Sequence, residues 1–147
     1  MLNDVLVQLY ERDLKKLKDE IELYKNEADL WETADGISNS GGNLCLHITG
    51  GLQYLIGAVL GGTGYVRDRD KEFTSKGVER KYLVAQLEEL ITMINKTLTS
   101  FSAENMEAEY PFMFDNAKRS TSYVLLQLLL HLNYHLGQVN YLRRIFE

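Results

Sequence analysis

The chain has 147 residues with a formal net charge of −5, and 45% of its residues are hydrophobic and 25% charged. This composition is typical of one globular domain and excludes a disordered chain, and the acidic balance argues against nucleic acid as a partner. The single cysteine excludes an intramolecular disulfide framework and a cysteine-rich zinc module. We see neither an apolar run of membrane-spanning length nor a basic region followed by an apolar block at the N-terminus. We therefore expect a soluble cytoplasmic protein without a membrane partner.

The first predicted helix runs from about Asp4 to about Leu30, and Asn3 is a candidate for its N-terminal cap. Apolar side chains recur along it at helical spacing, which predicts one buried face. This face comprises Leu2, Leu6, Leu9, Leu17, Ile21 and Tyr24.

A turn-rich stretch from Asp35 to Gly42 leads to the second predicted helix, which spans roughly Asn43 to Leu60. Ser40 or Asn43 is suited to cap it. Its several glycines are costly inside a helix and indicate that a neighbouring element approaches closely. Gly61–Gly64 ends the helix, and the run from Tyr65 to Phe73 is predicted to be a charged loop.

The third predicted helix runs from about Val78 to Phe101, with Ser75 as a candidate cap and an apolar stripe typical of helix bundles. A crossover from Ser102 to Lys118 follows, and we expect its aromatic residues to pack on the bundle. The fourth helix runs from about Arg119 to Phe146. It is apolar nearly all round between Tyr123 and Leu132, which indicates burial on more than one side.

Together these elements predict an all-α fold in a single domain spanning residues 1–147. The architecture is a four-helix bundle with a long crossover between helices 3 and 4. The chain's one proline, Pro111, lies in that crossover and leaves the four helices uninterrupted.

All three histidines of the chain fall on predicted helices. His131 and His135 are four residues apart, so both imidazoles project from one face of the fourth helix. His47 lies in the middle of the second helix. If these helices are neighbours, three imidazoles meet, and three imidazoles with an open coordination position are the ligand set of a catalytic zinc site. The alternative is that they are core histidines with satisfied hydrogen bonds, because a His-x-x-x-His pair alone is a weak motif.

Polar residues accompany the histidines on both helices. On a helical wheel, Gln127 and Gln138 share the face of the two histidines of the fourth helix. Around His47, the matching polar face includes Asn43 and Tyr54. These four side chains are candidates for hydrogen bonds to a ligand imidazole or to a substrate.

Asp13 interrupts the apolar face of the first helix, where a carboxylate must be paired, hydrogen-bonded or bound to a metal. It either orients a ligand imidazole by accepting its second N–H or pairs with a lysine or arginine. In the charged run, Arg67 or Arg69 is a candidate clamp for a substrate carboxylate, although a self-paired solvated loop is commoner for such runs. Cys45 points to the opposite side of the second helix from His47, and we interpret it as a small buried hydrophobe.

Two segments carry a resemblance to a known family, namely Gly42–Ile48 on the second helix and Leu130–Val139 on the fourth. They resemble the DinB-like superfamily of bacterial metal-binding four-helix bundles, also called YfiT-like metal-dependent hydrolases. The pattern of that family is a first histidine on helix 2 and a His-x-x-x-His-x-Gly-Gln segment on the last long helix. The Arg67–Phe73 run is similar to that of a subgroup whose function is uncharacterised.

The resemblance implies that His47, His131 and His135 are ligands of a divalent metal ion, with zinc or nickel as the leading candidates. Characterised relatives include S-transferases and an isomerase that depend on low-molecular-weight bacterial thiols. We therefore expect a metal-dependent enzyme that activates a thiol or water, either a thiol S-transferase or a hydrolase, acting on a small-molecule substrate.

The alternative is a non-catalytic homodimeric helical bundle with a structural or vestigial metal site. A homodimer is compatible with both interpretations, because the surplus apolar surface of the fourth helix needs a cover. The aromatic crossover is the other candidate to provide that cover.

Overall fold

Apolar side chains at helical spacing build four long helices, and two short helices lie in the connections between them. The computed structural model describes residues 1–147 and contains no β-strand. Its helices are α1 (Leu2–Leu23), α2 (Gly41–Gly61), α3 (Arg69–Thr74), α4 (Arg80–Thr99), α5 (Ala103–Glu107) and α6 (Thr121–Ile145).

The four long helices form a bundle. α1 packs against α4 and α6, and α2 packs against the same two helices. A single apolar core lies between them, and all four helices contribute to it. The predicted all-α bundle with a long crossover before the last helix is confirmed, and α2 and α6 are neighbours in it.

The N-terminal helix differs from its prediction at both ends. α1 ends at Leu23, and a separate 3-10 turn over Glu27–Trp31 takes the place of its predicted last turns. Asn3 is not the cap, because it lies inside the helix and is buried. Its amide donates to the carbonyl oxygens of Leu98 (3.3 Å) and Phe101 (3.0 Å) at the end of α4. Carbonyl groups at a helix C-terminus lack partners within the helix, which explains why this buried amide is used there.

The buried face of α1 is rotated slightly from the predicted one. Leu6, Leu17, Ile21 and Tyr24 are buried as expected. Leu2 is exposed and Leu9 is only partly buried, whereas Tyr10 and Leu14 are fully buried in their place.

α2 is capped by Ser40, whose hydroxyl accepts from the Asn43 N–H at 3.1 Å, as predicted. It is α-helical over Gly41–Leu52 and widens into a π-helical turn over Gln53–Ala58. Gly62 ends it in the left-handed conformation, with φ of 62°.

Contrary to our expectation, α2 is long and apolar enough to span a membrane by length and composition. Half of its most apolar stretch is buried inside the bundle, and core helices of globular proteins meet the same criterion of length and composition.

The charged run after α2 was predicted to be a loop, but its second half is the short helix α3. Asp68 caps α3 by accepting from the Lys71 N–H at 3.3 Å. Ser75 was predicted to cap the following helix. Instead α4 begins at Arg80, and the Ser75 carbonyl accepts from the side-chain amide of Asn43 at 2.8 Å.

The crossover contains α5 and packs on the bundle through Tyr110. This side chain is buried, and its hydroxyl donates to the carbonyl oxygen of Leu55 at 2.7 Å. Phe114 is partly buried against the core, whereas Phe112 is exposed. The expectation that the crossover aromatics pack on the bundle therefore holds for two of the three.

One side of α6 remains open in the isolated chain. Leu126, Leu130, Tyr134 and Tyr141 lie at helical spacing and are between 41% and 69% exposed. The expectation that α6 is buried on more than one side is therefore wrong for a single copy of the chain. The crossover does not cover these residues.

The buried hydroxyl of Tyr10 joins α1 to α6 by donating to the carbonyl oxygen of Leu125 at 2.5 Å. We expect Tyr10→Phe to lower the free energy of unfolding by about 1 to 2 kcal/mol, because the change deletes a buried hydrogen bond. Urea denaturation followed by circular dichroism measures this. The control is Tyr82→Phe, since Tyr82 is exposed and its hydroxyl has no partner in the protein. Equal stability of the two variants would contradict the role of the Tyr10 hydroxyl.

Candidate metal centre

Three imidazoles from two helices meet on one side of the bundle. His47 comes from α2, and His131 and His135 come from successive turns of α6. The ring centroid of His47 lies 5.2 Å from that of His131 and 5.3 Å from that of His135. The nitrogen atoms available as ligands all lie within 4.8 Å of one another, so the three histidines can hold one metal ion.

Two of the three rings are oriented by hydrogen bonds to their Nδ1 atoms. His47 Nδ1 lies 3.0 Å from Glu72 Oε1, and His135 Nδ1 lies 2.7 Å from the amide oxygen of Gln138. Since both oxygens accept, each Nδ1 carries the proton and donates it, which leaves the Nε2 lone pair free for a metal. The Nε2 atoms of His131 and His135 face each other at 2.9 Å.

At His47 and His131 the environment lowers the pKa and so favours the neutral imidazole, which is the metal-binding form. Burial lowers the pKa of His47, although its hydrogen bond to Glu72 acts in the opposite direction. The pKa of His131 falls to about 4. The main cause is loss of solvent around the ring, and the nearby His135, His47 and Arg67 add to it because each disfavours a further positive charge.

Glu72 is the residue of this site that sequence reasoning missed. Only 6% of it is exposed, and its second oxygen accepts from Arg67 Nε at 2.8 Å while Oε1 accepts from Arg67 Nη2 at 2.9 Å. Gly50 makes room for this carboxylate, since a Cβ atom there would lie 2.1 Å from Glu72 Oε2. The close approach predicted from the glycines of α2 is therefore found at Gly50, where the approaching group is the carboxylate that holds His47.

Asn43 fixes the segment that carries Glu72. Its side-chain amide donates to the Glu72 carbonyl at 3.0 Å as well as to that of Ser75. Its own carbonyl oxygen accepts from Lys76 Nζ at 2.8 Å. Asn43 thus acts on the histidine cluster through the position of α3, and it makes no hydrogen bond to an imidazole.

The remaining predicted site residues fall into two groups. Gln127 and Arg67 line a cavity beside the histidines, and Gln127 Nε2 donates to the Tyr123 hydroxyl at 3.0 Å. Tyr54 does not line this cavity. Asp13 also lies outside the cavity.

Asp13 is almost fully buried and fully paired. It accepts from Arg12 Nε at 2.9 Å and from Asn133 Nδ2 at 3.0 Å, and none of its hydrogen bonds goes to an imidazole. Of the two alternatives for Asp13, the geometry matches pairing with an arginine.

Cys45 is fully buried on the core side of α2, and burial raises the pKa of its thiol to about 12. It therefore stays protonated at neutral pH and belongs to the apolar core. The interpretation of this cysteine as a buried hydrophobe is confirmed.

A cavity of about 340 Å³ opens beside the cluster, between α2, α6, the charged run and the tip of the crossover. His47 and His131 form one side of it, and Leu52, Leu55 and Phe114 belong to its apolar wall. Its volume is at the lower end of the range for small-molecule sites.

The donor set fits a divalent transition metal. It consists of three histidines, with no carboxylate or thiol among the clustered groups. Neutral imidazole nitrogens suit zinc, nickel, copper and iron alike, so the chemistry of the site is compatible with zinc or nickel and does not select between them.

Comparison with known proteins places the chain in a family. A family model described as "Protein of unknown function (DUF1572)" matches residues 3–147, and the chain belongs to this family. No curated protein matches the sequence. A crystal structure of a DinB-like protein from Bacillus cereus ATCC 10987 is similar, with a TM-score of 0.73 and 17% sequence identity, over 95% of this chain and 89% of that chain. The DinB-like fold implied by the two histidine segments is confirmed.

The hydrogen bond from His47 to Glu72 leads to a prediction. We expect Glu72→Gln to weaken zinc binding by about 10- to 100-fold, because the imidazole loses the charged acceptor that orients it. Competition with a chromophoric chelator measures the Kd. Glu79→Gln is the matched control, since Glu79 is exposed and pairs only with Lys81. An unchanged Kd in a folded Glu72→Gln variant would show that the carboxylate does not support the site.

Proposed function

We propose that this member of the DUF1572 family is a metal-dependent enzyme, either a thiol S-transferase or a hydrolase. His47, His131 and His135 hold a divalent ion, zinc or nickel. The observation that carries the proposal is the convergence of three imidazoles beside a cavity, without a fourth protein ligand in the cluster. Catalytic zinc sites keep a coordination position open, whereas structural sites fill all four positions with protein ligands.

A divalent ion in this site supplies Lewis acidity and lowers the pKa of a bound thiol or water molecule, so that a nucleophile is available at neutral pH. The protein contributes the orientation. Glu72 and Gln138 hold two imidazoles in the tautomer whose Nε2 is free. Arg67 pairs with the buried carboxylate of Glu72 and so holds it in place beside His47.

For the S-transfer reaction, the cosubstrate we propose is a low-molecular-weight thiol. Its sulfur forms a bond to an electrophilic carbon of the second substrate, the leaving group departs with the bonding electron pair, and the thiol proton passes to solvent. With water in place of the thiol, the outcome is hydrolysis. We propose the bacterial cytoplasm as the location, because thiols are kept reduced there.

The alternative of a structural metal site requires a fourth protein ligand. Asp13, the buried carboxylate of α1, does not supply it, because both of its oxygens are engaged by Arg12 and Asn133. The cavity next to the imidazoles also favours an enzyme, since a structural site needs no space for a substrate.

We further propose that the protein is a homodimer built on the open side of α6. A symmetric dimer places identical residues against each other, so a helix face free of charge avoids like-charge repulsion. From Thr121 to Leu142, α6 contains no aspartate, glutamate, lysine or arginine. The ring of Tyr134 lies 5.4 Å from that of His135, so this face borders the histidine cluster.

Metal content tests the proposed function directly. We expect tag-free protein to contain a stoichiometric divalent metal and His131→Ala to lose it, because two imidazoles bind far more weakly than three. Elemental analysis of the purified proteins measures this. The control is Gln127→Ala, which alters the cavity one turn away but leaves the ligand set intact.

The same proteins are then assayed with a panel of bacterial thiols and an electrophilic acceptor, and in parallel for hydrolysis of the acceptor. Metal-loaded wild type is expected to be active and His131→Ala inactive. Metal that remains stoichiometric in His131→Ala would refute the three-histidine site. Full loading without turnover of any thiol or of water would favour the structural alternative.

The dimer has its own test in light scattering. We expect the wild type to have twice the chain mass of 16.9 kDa and Leu130→Lys to have the mass of one chain. In a symmetric dimer the substitution buries a lysine from each copy in the same interface, and their like charges repel. Val66→Lys is the control, since Val66 is an exposed apolar residue on the loop before α3. A monomeric wild type would end the proposal.

A further inference from the structure

The short helix α3 carries three side chains that belong to the surroundings of His47. Glu72 holds its Nδ1 atom. The ring centroid of Phe73 lies 4.8 Å from the centroid of the His47 ring. Arg69, one turn earlier, lies over the same phenyl ring, with its guanidinium carbon 5.2 Å from the centroid. The Phe73 ring therefore lies close to both the Arg69 guanidinium and an imidazole of the cluster.

The two arginines of this segment differ in how they are paired. Arg67 uses Nε and Nη2 on the carboxylate of Glu72, so its charge is balanced inside the protein. Arg69 is exposed and forms no ion pair and no hydrogen bond with the protein, and its guanidinium lies over the Phe73 ring. It lines the cavity, and the protein uses none of its five N–H donors.

The cavity offers the rest of a binding site for a small organic acid. Leu52, Leu55 and Phe114 provide an apolar wall, and the histidines lie at one side. One unpaired guanidinium balances one negative charge. Asp115, the acidic residue that lines the cavity together with Arg67 and Arg69, disfavours ligands with two negative charges. A monoanionic carboxylate therefore matches the charges of the cavity better than a phosphate monoester does.

We propose that this cavity binds a small organic carboxylate, with its carboxylate group on Arg69 and its apolar part against Leu52 and Leu55. The reactive end of such a ligand then lies at the histidine cluster. This inference names the substrate class of the proposed enzyme and rests on the proposed function for the reaction, whereas the binding step depends only on residues of the chain. A guanidinium donates two parallel hydrogen bonds to a carboxylate, which a neutral amide cannot match.

The test uses metal-free protein, so that a carboxylate has no metal to bind. The probes are hexanoate and 3-phenylpropionate, each compared with its neutral amide, and phenyl phosphate represents phosphate monoesters. Kd values come from NMR titration of wild type, Arg69→Gln and Lys71→Gln. Lys71 is the matched control, because it is an exposed cation of the same helix that does not line the cavity.

We expect wild type and Lys71→Gln to bind at least one carboxylate about tenfold more tightly than its amide, and Arg69→Gln to lose that preference. The proposal is overturned by a wild type that binds no carboxylate or does not prefer it to the amide, by a preference that persists in Arg69→Gln, or by tighter binding of phenyl phosphate. Metal content is measured separately. A chain that fails to load metal would refute the proposed function and leave the carboxylate result standing.

Discussion

The buried carboxylate of Glu72 is the constraint on which the rest of the site depends. A carboxylate with so little exposure needs partners, and it has two, the guanidinium of Arg67 and the Nδ1–H of His47. These contacts fix the position of α3 against α2, and the absence of a side chain at Gly50 allows them. The same hydrogen bond sets the tautomer and the rotation of His47. The geometry of the histidine cluster therefore depends on how α3 packs against α2.

Much of the fold and the composition of the cluster could be predicted from sequence, because they depend on local periodicity. The spacing of four between His131 and His135 places them on one face wherever the helix packs, and the apolar stripe from Leu83 to Ile94 defines the buried side of α4. To place His47 in the cluster required one further assumption, namely that α2 is a neighbour of α6. The two helices do pack against each other in the bundle.

Two of the failures, at Asn3 and Glu72, share a physical cause, which is that each polar group has its partners far away in the sequence. Asn3 was predicted to be a helix cap, because asparagine side chains usually form hydrogen bonds with nearby backbone groups. Its amide instead donates to carbonyl oxygens nearly a hundred residues away. The sequence alone places Glu72 in a run of charged residues that is expected to be solvated. The fold shows that Glu72 is buried beside His47. The apolar sequence of α6 predicted burial on more than one side, but Leu126, Leu130 and Tyr134 are exposed in the single chain.

The segment from Gly62 to Glu79 contributes no buried residue to the apolar core, although it supplies the carboxylate, the phenyl ring and the free guanidinium that surround His47. In the carboxylate site that we propose, ligand preference therefore depends on a segment outside the apolar core. Exchange of Arg69 is then expected to alter selectivity at little cost in folding stability, which makes this segment a suitable target for an engineered library.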